Sequence, residues 1–124
     1  MTTSTSELTP KAIKDEIRAE ALALGFSTCG FADAAAAWPN GEWLREFVVA
    51  ERHGAMGWME ETLERRSHPT AMWTEARSAV VLGVNYGPDV DPLEQLARTD
   101  RAAISVYAQG DDYHDVIKKR LKEA

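Results

Sequence analysis

The spacing of apolar side chains predicts a helix near the start of the chain. Four of these side chains recur at intervals of three and four residues, namely Ile13, Ile17, Ala21 and Leu24. Thr9 and Pro10 predict where the helix begins, because a threonine hydroxyl can accept from free backbone N–H groups and proline is tolerated in the first turn. Gly25 predicts where the helix ends. Residues 1–8 are small and polar, so we expect them to be disordered.

Helical spacing returns twice in the middle of the chain. The first apolar stripe there consists of Trp43, Leu44, Phe47 and Val48. Its helix is predicted to end at Gly54. The second stripe, Met56, Met59 and Leu63, predicts a further helix. That helix should end before Pro69, because proline disfavours helical geometry at the residue preceding it.

Three stretches have the composition of strands, namely 26–33, 78–86 and 103–108. The sequence of residues 78–86, SAVVLGVNY, is uncharged and almost entirely apolar, and such runs usually lie buried on both faces of a sheet. A short helix is predicted over Leu93–Ala97 and a longer one after Gly110. The apolar stripe of the longer helix consists of Tyr113, Val116, Ile117 and Leu121. Roughly four helices and three strands without regular alternation favour an α+β fold with a small sheet.

The overall charge of the chain is acidic. Its 124 residues carry a formal net charge of −6, whereas a free-standing nucleic-acid binder usually presents a basic surface. Cys29 is the single cysteine, which excludes an internal disulfide and a four-thiolate metal site and fits a reducing compartment. The sequence contains neither a signal peptide nor a long apolar run. We therefore expect a cytoplasmic protein, one domain in size, with no membrane partner. We also expect it to be a monomer.

The richest cluster of chemical groups is GDDYHD at residues 110–115. Its three aspartates would repel a phosphate at the start of the last helix, and they can instead cap free N–H groups there. A second interpretation is that Gly110 admits a flat ligand close to the backbone, with Tyr113 and His114 supplying polar groups. Arg66, at the end of a predicted helix, either complements the helix dipole or donates to a bound cofactor. No two of the histidines have the spacing of a helical metal site.

Three segments of the chain resemble one enzyme family. They are HGAMGWMEETLERRSHP at 53–69, TEARSAVVLGVNYGP at 74–88 and ISVYAQGDDYHDVIKKRLKEA at 104–124. Their order and wording are similar to the N-terminal region of epoxyqueuosine reductases. This resemblance implies an oxidoreductase that reduces epoxyqueuosine in tRNA to queuosine, using cobalamin and 4Fe–4S clusters. It also implies that residues 9–124 form the N-terminal portion of a nitroreductase-like cobalamin-binding domain, without the iron–sulfur domain.

The resemblance carries the family's cofactor-binding positions onto this sequence. The matching residues are Arg66, Ser105, Val106, Tyr107, Gly110, Tyr113 and His114. Some family members have a cysteine just before the YAxG turn, where this chain has Ser105 or Val106. The family's catalytic aspartate and cluster cysteines are expected beyond Ala124, so no catalytic residue and no metal ligand is assigned here. The last helix has no terminating signal at Ala124, and we expect a fragment that is inactive by itself.

Two other interpretations stay open at this point. The chain could come from a different cofactor enzyme, either a reductive dehalogenase-like or a flavin nitroreductase-like one. It could also be a non-catalytic binding module that folds and associates without doing chemistry. Cluster cysteines in a downstream segment would favour a cobalamin enzyme, and their absence would favour a flavin enzyme.

Overall fold

Helices and one small sheet follow each other irregularly along the chain. The computed structural model describes residues 9–124, so the predicted disorder of residues 1–8 lies outside the described part. The elements are α1 (Pro10–Ala23), β1 (Thr28–Asp33), α2 (Asn40–Val49), α3 (Gly57–Glu61), α4 (Leu63–Ser67), α5 (Pro69–Met72), β2 (Ser78–Gly83) and α6 (Tyr113–Glu123). Two 3-10 turns, Pro92–Ala97 and Val106–Ala108, lie between β2 and α6 in the sequence. This mixture confirms the predicted α+β class.

The chain divides into two compact units. The first consists of the residues up to Gly30 together with Leu82–Ala124, and the second of Phe31–Val81. Each unit has its own small set of buried apolar residues: Ala21 and Phe26 in the first, and Ala34, Val48 and Ala76 in the second. No helix within residues 9–124 is long and apolar enough to cross a membrane.

The first helix, α1, begins and ends where the sequence predicts. The hydroxyl of Thr9 accepts from the backbone N–H of Ala12 at 3.2 Å, and Pro10 occupies the first turn. Gly25 follows the helix with φ +92°, a left-handed conformation that favours glycine. Local capping signals are therefore sufficient to place both ends of α1.

The helices of the second unit are shorter than predicted. α2 ends at Val49 rather than at Gly54, and Glu51 then adopts a left-handed conformation with φ +54°. The helix predicted over the next segment is divided into α3 and α4 at Thr62. The Thr62 hydroxyl donates to the carbonyl of Trp58, which also accepts from the N–H of Thr62 at 3.2 Å, and side-chain bonds of this kind often bend helices.

Close packing joins α2 to α4. A β-carbon placed on Gly41 in α2 would lie only 2.6 Å from the carbonyl oxygen of Ser67 in α4. Nη2 of Arg45 also lies 3.1 Å from Oε1 of Glu64, which ties the two helices at the surface. Pro69 then begins α5, so the predicted end of the preceding helix before this proline is confirmed.

The sheet consists of β1 and β2 alone within residues 9–124. The N–H of Ser27 donates to the carbonyl of Gly83 at 2.7 Å, and the N–H of Ala34 donates to the carbonyl of Arg77 at 3.0 Å. This register makes the strands antiparallel. The predicted burial of β2 on both faces is wrong, because Val80 and Val81 in its centre are 47% and 56% exposed. A strand in a two-stranded sheet has a single neighbour, which leaves much of its surface uncovered.

The strand predicted over residues 103–108 is not formed. Its first half has no regular structure, and its second half is the 3-10 turn Val106–Ala108. The N–H of Ala108 donates to the carbonyl of Ser105 at 2.9 Å, and Nε2 of Gln109 donates to the carbonyl of Ile104 at 2.6 Å. These local bonds satisfy backbone groups that a neighbouring strand would otherwise bind.

Candidate functional site

The YAxG turn lies on the surface of the first unit. Ser105 precedes the 3-10 turn, Val106 is half-buried within it, and Tyr107 is 61% exposed. Gly110 follows the turn, and a β-carbon built on it would meet no atom within 4 Å. This glycine does not adopt the left-handed conformation either. Neither crowding by the described residues nor the backbone conformation therefore requires glycine at position 110. The close approach of an external group is a remaining reason for a glycine there.

Asp112 fixes the start of α6 and the ring of His114. Its Oδ1 accepts from the backbone N–H of His114 at 2.9 Å and lies 2.8 Å from Nδ1 of the same residue. These two bonds, the backbone one first, hold the pKa of the Asp112 carboxyl below its ordinary value. Since a carboxylate only accepts, Nδ1 of His114 carries the proton. The interpretation of this cluster as a helix cap is confirmed.

Three aromatic rings are stacked beside the start of α6. The rings of Tyr86 and Tyr113 are nearly parallel, at 9°, with centroids 5.8 Å apart. The rings of Tyr113 and His114 lie closer, with centroids 4.1 Å apart and an angle of 26°. We call Tyr86, Tyr113 and His114 the aromatic stack. Tyr113 is 37% exposed, so the stack lies at the surface rather than in a core.

An open cleft of about 330 Å³ adjoins the aromatic stack in the first unit. Its lining consists of Gly25, Val84, Asn85, Tyr86, Asp111, Tyr113, Val116, Ile117 and Arg120. Nη1 of Arg120 donates to the carbonyl of Gly25 at 3.0 Å, which ties α6 to the end of α1. Sequence reasoning missed Tyr86 as a neighbour of the motif, because it assigned this residue to a buried strand. In the sequence, only its place in the family-like segment at 74–88 pointed to it.

Arg66 belongs to the second unit. Its Nε donates to the hydroxyl of Thr62 at 2.7 Å, and its Cζ lies 4.5 Å from the ring centroid of Trp58. A guanidinium over an indole ring is a favourable cation–π arrangement. Thr62 and Trp58 thus hold the Arg66 side chain in place, and Arg66 also contributes to an open cleft of about 790 Å³ within this unit.

His68 has a structural role in the second unit. Its Nε2 lies 2.7 Å from the carbonyl of Ala36, and its Nδ1 accepts from the N–H of Thr70 at 3.1 Å. Because a carbonyl only accepts, Nε2 carries the proton. The ring therefore caps α5 and ties it to the segment after β1, and Trp38 packs against it with ring centroids 5.5 Å apart.

His53 is the more deeply buried histidine of the second unit. It is only 9% exposed, its Nε2 lies 3.8 Å from Oε2 of Glu60, and its Nδ1 is buried without a hydrogen-bond partner. α2 ends at Val49, four residues before His53, so His53 does not lie at the end of that helix. Among residues 9–124, no group of three or more His, Cys, Asp or Glu side chains is placed to hold a metal ion.

The fold and these surfaces define the class of the chain as an α+β module that presents a stacked aromatic motif. Residues 66–124 match the family model described as Epoxyqueuosine reductase QueG, DUF1730. This match covers slightly less than half of the chain, and it confirms the resemblance predicted from the three segments. No solved structure matches the chain.

Curated relatives extend this similarity over most of the chain. The epoxyqueuosine reductase of Cellulophaga algicola is 34% identical over 109 residues, covering 88% of this chain and 34% of that protein. The one of Alicycliphilus denitrificans is 34% identical over 127 aligned residues, covering 95% of this chain and 33% of that protein. That of Pseudomonas aeruginosa is 32% identical over 101 residues, covering 81% and 28%. The chain thus spans about a third of the length of the relatives it matches.

Proposed function

We propose that this chain forms a portion of the cobalamin-binding domain of an epoxyqueuosine reductase, an oxidoreductase that reduces epoxyqueuosine in tRNA to queuosine. The observation that supports this most is the exposure of the motif that matches the family. Tyr107, Gly110, Tyr113 and His114 lie at the surface of the first unit, where a ligand can reach them. If the same aromatic residues served only to build a core, they would be buried. The nitroreductase-like architecture, the cytoplasmic location and the monomeric state are parts of the same proposal.

The residues present fit a flat macrocycle with an amide rim. A β-carbon built on Gly110 would meet no atom within 4 Å, so a planar group can approach the backbone closely at this residue. In the proposal, Ser105, Val106 and Tyr107 border the same turn and contact the cofactor. Tyr113 and His114 supply ring faces and polar atoms. When bound, cobalamin would supply the reducing equivalents for opening the epoxide.

Arg66 is the proposed cofactor contact in the second unit. Its guanidinium is held by Thr62 and lies over Trp58, so its orientation is fixed before any ligand binds. A guanidinium with restricted rotamers loses less conformational entropy when it donates to an amide oxygen or a phosphate. We therefore assign Arg66 the role of a polar donor to the cofactor.

The residues of this chain do not fit an iron–sulfur cluster. A 4Fe–4S cluster takes four thiolates, and the chain contains one cysteine, Cys29. We derive no chemical step through a cluster for these residues. In the proposal, the clusters and the tRNA are cofactor and substrate of the larger enzyme of which the chain is a portion. The chain alone is then inactive toward epoxyqueuosine-containing tRNA.

Cobalamin binding by the purified chain tests the proposal. A β-carbon on Gly110 would meet no atom within 4 Å, so Gly110→Val should retain the fold. The bound ligand would overlap with that side chain, and overlap costing about 1–3 kcal/mol corresponds to about five- to 150-fold weaker binding. Gly30→Val is the matched control, because a β-carbon there also meets nothing within 4 Å and valine suits a strand.

Equilibrium dialysis of the three proteins against cobalamin gives the dissociation constants. We expect binding by the unmodified chain and by Gly30→Val, and much weaker binding by Gly110→Val. Equal retention of cobalamin by both variants would contradict the assignment of Gly110. Retention of flavin mononucleotide but not of cobalamin would favour the flavin nitroreductase-like alternative, and retention of neither would favour a non-catalytic binding module.

A further inference from the structure

We propose that Tyr86 is a positioning residue for the same surface, and that it orients the imidazole of His114 through the ring of Tyr113. The consequence for ligand binding rests on the proposed function, whereas the orientation of His114 can be measured without any ligand. Tyr86 lies outside the YAxGxDYH motif, 27 positions before Tyr113 in the sequence numbering. Its role follows from the fold of the first unit rather than from the motif.

Tyr113 lies between the other two rings of the aromatic stack and contacts both of them. The rings of Tyr86 and Tyr113 are within 9° of parallel at 5.8 Å, and Tyr113 in turn contacts His114 at 4.1 Å. Offset parallel rings at such distances attract each other beyond the apolar area that they bury. Since Tyr113 contacts both neighbours, a change in its ring orientation must alter its contact with His114.

Two hydrogen bonds anchor the backbone on either side of Tyr86, which makes it the anchored end of the stack. The N–H of Asn85 donates to the hydroxyl of Ser27 at 2.8 Å, and Oδ1 of Asn85 accepts from the N–H of Gly87 at 2.9 Å. The residues on both sides of Tyr86 are therefore bonded, and one of these bonds reaches the segment that precedes β1. Tyr86 thus connects the ordered sheet region of the first unit to the start of α6.

Asp112 supplies the second constraint on His114. Its carboxylate lies 2.8 Å from Nδ1, so when the ring carries a single proton, that proton is on Nδ1 and Nε2 can accept a hydrogen bond. The hydrogen bond restrains the ring at one nitrogen, and stacking on Tyr113 restrains the ring plane. Together they present Nε2 in one orientation to a donor such as an amide N–H at the rim of a ligand.

Nuclear magnetic resonance of His114 tests the positioning role directly. Tyr86→Leu removes the ring from the stack, and Tyr86→Phe keeps it. In the unmodified chain and in Tyr86→Phe, the ring nitrogen shifts of His114 should report one dominant tautomer with the proton on Nδ1. In Tyr86→Leu the ring is restrained at Nδ1 alone, so its hydrogen bond to Asp112 should open more often and the shifts should move toward the average of the two tautomers. Trp43→Leu is the control, because Trp43 is an exposed aromatic residue on α2 in the other unit.

Cobalamin affinity provides the second measurement on the same proteins. Tyr86→Leu should weaken binding about two- to tenfold, the range that corresponds to loss of one aromatic pair, and Tyr86→Phe should restore it. Unchanged His114 shifts in Tyr86→Leu would overturn the inference. If the unmodified chain binds no cobalamin while the His114 shifts respond as expected, the proposed function fails and the positioning role stands.

A measurement on the unmodified chain covers the case in which Tyr86→Leu does not fold. The rings of Tyr86 and Tyr113 should show ring-current shifts and a mutual nuclear Overhauser effect. If folded protein shows neither signal, the stack does not exist in solution and the inference is overturned.

Discussion

Replacing Gly41 by alanine should destabilise the second unit, because backbone atoms already occupy the space of a β-carbon. A Cβ at this position would lie 2.6 Å from the carbonyl oxygen of Ser67 and 3.1 Å from its Cβ. Favourable contacts between non-bonded carbon atoms occur at about 3.5–4.0 Å. The carbonyl cannot rotate away like a flexible side chain, so α2 and α4 must move apart to accommodate the new methyl group.

Two opposing effects set the size of the change in the free energy of unfolding. Alanine is favoured over glycine inside a helix by about 0.5–1 kcal/mol. Overpacking a close contact costs about 1–3 kcal/mol. Separation of the helices would also stretch the bond between Arg45 and Glu64, but an exposed ion pair contributes little. We therefore expect Gly41→Ala to lower the free energy of unfolding by about 1–2 kcal/mol.

The matched control is Gly57→Ala at the start of α3. A β-carbon on Gly57 meets nothing within 4 Å, so this variant gains helix propensity without a clash. Urea denaturation followed by circular dichroism gives the free energy of unfolding for both variants. We expect Gly41→Ala to be less stable than the unmodified chain and Gly57→Ala to be at least as stable. If Gly41→Ala proves as stable as Gly57→Ala, the close approach of α2 and α4 is refuted.

Two further predictions concern polar groups of the two units. His68→Leu leaves the carbonyl of Ala36 and the N–H of Thr70 without their imidazole partner, so it should lower the free energy of unfolding by about 1–3 kcal/mol in urea denaturation. His53→Leu removes a nitrogen without a hydrogen-bond partner and should lower it less. Equal losses in the two variants would contradict this difference. The pKa of Asp112 is lowered by its hydrogen bonds, so its carboxylate stabilises α6 fully above the usual aspartate pKa of about 3.9, and this contribution is lost as the pH falls through the lowered pKa. Amide shifts at the start of α6 should therefore titrate below about pH 4, and a titration that persists in Asp112→Asn would contradict this cause.

Features set by neighbouring residues were the ones that the sequence predicted well. The cap of α1 depends on Thr9 and its end on Gly25, and both act within one turn of the helix. The cap of α6 is similarly local, since Asp112 binds the residue two positions later. In such cases a few neighbouring residues determine both the side-chain hydrogen bond and the backbone conformation.

Features that depend on distant residues were predicted poorly. The apolar composition of residues 103–108 favours a strand, but a strand also requires a neighbour, and none of the described strands lies beside this segment. Val80 and Val81 likewise have the composition of a doubly covered strand and are exposed. Tyr86 was not recognised as part of the motif surface, because its contact with Tyr113 arises only from the fold.

The candidate surface is ordered both by local hydrogen bonds and by a contact with a distant residue, and this affects how it would bind a ligand. The hydrogen bonds of Asp112 to His114 and of Ala108 to Ser105 are local, so they form without help from distant segments. The stack on Tyr86 adds a contact from elsewhere in the first unit. A surface ordered in this way before binding loses less conformational entropy when a ligand arrives. The YAxGxDYH motif can therefore present its ring faces and its open glycine as an ordered surface of the first unit, which is why cobalamin binding by this chain is a meaningful test of its function.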